Sequence, residues 1–185
     1  MRSELPVKKG TKADGPNSFS RLVAVMHRLR SPGGCPWDAE QDHESLKPYL
    51  IEEAYEVIEA MDGGNEQEFC EELGDLLLQV VFHAEIAGER KAFTIDDVVA
   101  AVSDKLVRRH PHVFGETEVL SSSEVLGNWS RIKAAERAER VEEGRLPSLL
   151  NGVPKTMPAL LRAHRMGEKA SSAGFDWPSP EAARE

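Results

Sequence analysis

The chain has 185 residues, 40% of them hydrophobic and 30% charged, with a net charge of −9 and a pI near 5.2. That is enough for one domain with a real core and the start of a second, and the acidic balance argues against a nucleic-acid or anionic-membrane binder that works by bulk electrostatics. No apolar run approaches the roughly 18 residues of a membrane span.

Residues 1–17 carry Lys8, Lys9 and Lys12 but no apolar stretch, so they read as a flexible polar tail rather than a secretory signal. Strand periodicity is absent and helical spacing dominates. A first helix is expected over Phe19–Leu29, with Ser18 as N-cap and Ser31-Pro32-Gly33-Gly34 as its stop. Cys35 to Glu44 reads as a loop around Pro36-Trp37-Asp38. A second helix is expected from about Ser45 to Met61, with Pro48 in its first turn, where a missing N–H costs little. A third runs from about Glu66 to Glu89. Thr94 and Asp97 open a fourth with a box-like start, and it continues to about Arg109 before Pro111 ends it. A fifth starts at Ser121, Ser122 or Ser123 and reaches about Glu143. A Gly- and Pro-containing connection, residues 144–158, leads to a last helix near Ala159–Ala170. The fold class is therefore all-α. Residues 18–143 form the main domain and 144–185 a linker with the start of a possible second copy, because Ala170 to Trp177 echoes Ser31 to Trp37. Cys35 and Cys70 form no Cys-x-x-Cys pair and read as free thiols of a reduced, cytoplasmic protein.

Two acidic clusters carry the chemistry. Glu53 and Glu56 are three apart on the second helix; Glu72 and Asp75 are three apart on the third, and Gln79 and His83 continue their row. The third helix is otherwise apolar nearly all round. Antiparallel packing of the two helices brings four oxygen donors together, a set suited to Mg²⁺, with Mn²⁺ as the alternative. A solvated acidic face, or pairing of Asp75 with a base, is the competing reading. A di-iron bundle needs Glu-x-x-His on two helices; the single match, Glu40 to His43, lies in a loop. Four carboxylates and one Mg²⁺ leave −2, so a triphosphate needs more metal or a basic cluster. Lys105, Arg108 and Arg109 supply one, read either as phosphate ligands or as cations favoured by a helix C-terminus. Trp37, and Trp129 beside Arg131 and Lys133, can stack on a base or fill a core or interface.

Gly34-Cys35-Pro36-Trp37-Asp38, Glu52-Glu53-Ala54-Tyr55-Glu56, Glu72-Leu73-Gly74-Asp75-Leu76-Leu77 and the run from Lys105 to Phe114 occur in this order. Together they resemble the MazG nucleoside triphosphate pyrophosphohydrolases over about Phe19 to Arg137. The resemblance implies an all-α helical bundle completed by homodimerisation. It also implies Mg²⁺-dependent hydrolysis of NTP or dNTP to monophosphate and pyrophosphate. By position in the motifs, Glu53, Glu56, Glu72 and Asp75 become metal ligands, Lys105 and Arg109 phosphate contacts, and Trp129 a nucleotide contact. Glu52 is the candidate that orients or deprotonates the attacking water. A nucleotide- or partner-binding helical module with little or no turnover is the alternative. Neither reading calls for a membrane or for stable nucleic-acid binding.

Overall fold

The computed structural model describes residues 18–119, 121–139, 152–177, 179 and 181–183, and among these residues there are helices and turns but no strand. The helices are α1 (Ser18–Arg30), α2 (Pro36–Glu40), α3 (Lys47–Gly63), α4 (Glu66–Glu89), α5 (Ile95–Arg109), α6 (Pro111–Phe114), α7 (Ser122–Glu139) and α8 (Ala159–Ser172). Two compact units divide the chain after Leu106. The expected tail, residues 1–17, and the segment 140–151 lie outside the described residues, as does the expected last turn of the fifth helix towards Glu143.

The centre of the first unit is the hairpin of α3 and α4. Gly64 takes a left-handed φ of +69° and Asn65 caps α4 by accepting from the Gln67 amide at 3.1 Å. This two-residue reversal makes the helices antiparallel. The core lies towards the C-terminal half of α4: Met26 of α1 and Leu46 pack with Val81, Phe82 and Ile86, and Leu22, Val23, Leu78 and Ile95 close around them. Arg30 ties this end together. Its side chain is only 6% exposed. It donates to both Glu89 oxygens, at 2.6 and 2.8 Å, and to the backbone carbonyls of Asp38 and Gln41, and it lies over the Phe82 ring. Asp42 then fixes the approach to α3 by accepting from the amides of Glu44 and Ser45.

Several expected boundaries move. The loop around Pro36 contains a one-turn helix, because Pro at its start is preorganised for a helical φ. The helix expected from Ser45 begins at Lys47, since Ser45 is occupied in the Asp42 turn. Pro111 does not simply end α5 but starts α6, and Ser18 lies inside α1 rather than capping it. Thr94 and Asp97 do form the box: Thr94 N–H and Oγ1 donate to Asp97 Oδ2, and Asp97 N–H donates back to Thr94 Oγ1. Burial of α4 is less even than its composition suggests. Phe82, Ala84, Ile86 and Ala87 are buried, whereas Leu73, Leu77 and Val80 are exposed.

Candidate functional site

The N-terminal half of α4 and the facing turns of α3 bring carboxylates together. Glu53, Glu56 and Glu72 each place an oxygen within 4.8 Å of the others. Burial, then the charges of Asp75 and Glu56, raises the pKa of Glu53, and the nearby Gln79 side chain acts in the opposite sense. Glu72 is raised too, by desolvation first and then by Glu56 and Asp75. Among the described residues none of these four carboxylates forms an ion pair with Lys, Arg or His. Hard oxygen donors at this spacing, repelling one another and lacking a protein cation, fit a divalent metal. Asp75 stands outside the closest trio but acts on it through its field. Glu52, next to Glu53 but turned about 100° around the helix, is exposed and is not part of the trio.

Further along the same row of α4, His83 meets His43, with Nδ1 atoms 2.9 Å apart. Burial, and then the charge of His43, lowers the His83 pKa. This pair joins the loop before α3 to α4. Trp37 is half exposed and stands edge-on to Tyr49, with ring centres 6.0 Å apart.

The second unit holds a cluster of opposite sign. Glu136 of α7 accepts from Arg108 Nε at 2.8 Å and from Arg109 Nη2 at 2.5 Å. These hydrogen bonds, Arg109's first, pull the Glu136 pKa down to about 2. Trp129, one α7 face above Glu136, lies 5.7 Å from the His110 ring, and His110 lies 5.7 Å from His112. The indole Nε1 of Trp129 and Nδ1 of His112 are buried without a partner among the described residues. Lys133, between Trp129 and Glu136 on α7, is partly exposed; Lys105, on the part of α5 that belongs to the first unit, is exposed.

Residues 41–114, which contain both acidic clusters and the basic end of α5, match the MazG nucleotide pyrophosphohydrolase domain. This part of the chain is a MazG domain. It is 52% identical over 163 residues to the nucleoside triphosphate pyrophosphohydrolase/pyrophosphatase MazG of Thermotoga maritima, covering 88% of this chain. It is 46% identical over 162 residues to the nucleoside triphosphate pyrophosphohydrolase of Escherichia coli K12, covering 87% of this chain. The chain spans about 60% of the length of these curated relatives. The crystal structure of a MazG-related protein from Thermotoga maritima superposes with a TM-score of 0.53 at 29% identity, over 62% of this chain and 98% of that one.

Within this MazG domain the structure gathers Glu53, Glu56 and Glu72 and sets Asp75 beside them. Arg108 and Arg109 are together but already engaged by Glu136, which the sequence reading did not single out. Its only sequence signal is its place seven residues after Trp129, on the same helix face. His43 was also missed as the partner of His83, and Arg30 as the organiser of the loop before α3. His43 reaches its partner across 40 residues, and Arg30 joins loop carbonyls 8 and 11 residues away to Glu89, 59 residues away, links that helical spacing does not reveal.

Proposed function

We propose that the chain is a divalent-metal-dependent nucleoside triphosphate pyrophosphohydrolase, converting NTP or dNTP and water to the monophosphate and pyrophosphate in nucleotide-pool house-cleaning. The observation that carries this reading is the trio of carboxylates within 4.8 Å, with no protein cation among the described residues to balance it. The names of the relatives support the reaction class.

Glu53, Glu56, Glu72 and Asp75 are the residues that hold the metal, Mg²⁺ or Mn²⁺. Bound there, the cation supplies Lewis-acid polarisation of phosphate oxygens. The chain's own residues do the rest. The acidic set fixes where the phosphates lie. Glu52, exposed beside the trio, is the candidate to accept a proton from the attacking water. Lys105, Arg108 and Arg109 are the candidates to offset charge on the phosphates. Trp129 and Trp37, with Lys133, are the candidates for contact with the nucleoside. The α–β anhydride bond breaks and pyrophosphate leaves.

A homodimer belongs to the same proposal. Ile51, Tyr55, Ile58 and Met61 of α3, with Leu73 and Leu77 of α4, expose large apolar side chains beside the acidic site. A second copy of the same hairpin is the occupant that turns this face into a bundle core. No helix among the described residues is long and apolar enough to cross a membrane. The two cysteines are free, in keeping with a place in the cytoplasm.

Incubation with a panel of NTPs and dNTPs in Mg²⁺ or EDTA, with products resolved by ion exchange, tests the reaction. Metal-dependent monophosphate and pyrophosphate are expected. Diphosphate and orthophosphate mean that another bond is cut, and nucleotide bound without turnover favours the binding-module reading.

A further inference from the structure

Arg108 and Arg109 are consecutive residues of α5, so their side chains leave the helix about 100° apart. Both nevertheless end on one carboxylate, that of Glu136 on α7, inside the second unit. Each oxygen serves mainly one arginine. Oε1 lies 2.8 Å from Nε and from Nη2 of Arg108, and Oε2 accepts from Nε and Nη2 of Arg109 at 3.2 and 2.5 Å. Tying α5 to α7 needs only one such pair. A second guanidinium sets like charges side by side where Arg109 and Glu136 are only 19% and 13% exposed, which is costly. The convergence therefore points to a task that needs two arginines in one place.

Exposure shows which member of the cluster a ligand meets. The Arg108 side chain is 51% exposed against 13% for Glu136. Solvent reaches the guanidinium before the carboxylate, so Glu136 backs the arginines rather than capping them. It engages Nε and Nη2 of each, and neither Nη1 donates a hydrogen bond among the described residues. We propose that Glu136 is a positioning residue that holds Arg108 and Arg109 together, so that the two guanidiniums act as one receptor for a phosphate group. Its ionised carboxylate offsets the repulsion that would separate them. One Glu against two Arg still leaves a net +1 for an oxyanion, and guanidinium N–H groups match phosphate oxygens.

The inference rests on the reading of these arginines as phosphate contacts, and one experiment separates the two. Imidodiphosphate, whose bridging N–H resists hydrolysis, is titrated into the full chain in excess Mg²⁺, and phosphorus NMR reads affinities into the millimolar range. Wild type is compared with Glu136→Gln, with a chain carrying both Arg108→Gln and Arg109→Gln, and with all three substitutions together. Removal of a negative charge by itself tightens anion binding. Loss of positioning predicts the reverse: affinity falls about 10-fold in Glu136→Gln, because two loose side chains must then be ordered on binding. It also predicts no further fall when Glu136→Gln is added to the two arginine substitutions, because Glu136 acts through those arginines. Unchanged or tighter binding in Glu136→Gln overturns the role of Glu136 and leaves the arginines as phosphate contacts. An equal fall in both backgrounds overturns it too, since Glu136 would then be supporting the fold. Wild-type affinity in the arginine variant, or no binding by wild type, overturns both the phosphate reading of the arginines and this inference.

Discussion

The acidic hairpin and the end of α5 treat charge in opposite ways. Glu53, Glu56 and Glu72 crowd together with no cation from the protein among the described residues, and burial and mutual repulsion push Glu53 and Glu72 towards the protonated form. Arg108 and Arg109 have an internal counter-ion in Glu136, whose carboxyl is held down at about 2. One cluster opposes folding when fully ionised, and the other supports it. An unbalanced cluster kept across two facing helices points to a use for it, and the balanced cluster shows that this chain can pair charges where nothing else requires them apart.

The largest expected effect breaks the acidic side of the comparison. Glu72→Gln, or Asp75→Asn, removes a proposed metal ligand and lowers metal-dependent hydrolysis by about 100-fold or more, on the scale of a lost metal contact. Helicity by circular dichroism stays unchanged. Full activity in both variants would refute the assignment.

The next effect concerns the apolar face beside the acidic cluster. Phe82→Ala is expected to cost about 3–5 kcal/mol because Phe82 lies in the core of the chain itself. Leu77 is 40% exposed, and in a lone chain its truncation costs less than about 0.5 kcal/mol. Covered by a second copy, it costs about 2–5 kcal/mol and makes the melting temperature depend on protein concentration. The proposed dimer predicts the second behaviour, measured by denaturant melts at two concentrations.

A smaller effect separates the two clusters by pH. Glu53 and Glu72 have folded pKa values above the ordinary 4.5, so the folded chain binds protons more tightly than the unfolded one. Their contribution is most favourable below that value and worsens as pH rises through the raised pKa. Glu136 has the opposite sign: its contribution is complete above 4.5 and is lost as pH falls towards about 2. Glu136→Gln should therefore flatten the acid limb of the stability profile, and Glu53→Gln the limb just above 4.5, in metal-free melts. The same flattening by either substitution would remove the distinction between the clusters.

The smallest effect is a control outside both. Thr94→Ala removes one half of the box that starts α5 and is expected to cost about 1 kcal/mol. Metal affinity should not move.

What the sequence disclosed follows from the range of the forces involved. Helices α3 and α4 are visible because apolar spacing, Gly63-Gly64 and the cap at Asn65 all act within a few residues. The pairing of Glu53 and Glu56 with Glu72 follows once a short turn makes those helices antiparallel. The helix α2 is a single turn, too short for a periodic signal. Glu136 lies 27 residues from Arg109, and His43 lies 40 from His83, so no local pattern links them. The apolar circumference of α4 was legible, but not which part of it the chain itself covers: burial reaches Phe82 and Ile86 and leaves Leu73 and Leu77 in the open.

The central claim is that the crowded carboxylates of α3 and α4 await a divalent cation, and thermal melting near pH 8 tests it most directly. Wild type and Glu72→Gln are melted in EDTA and again with excess Mg²⁺ or Mn²⁺, without nucleotide. The account predicts a metal-induced rise in wild type that grows with metal concentration and largely disappears in Glu72→Gln, while that variant melts no lower than wild type in EDTA. An equal rise in both proteins, or none in wild type, would contradict it.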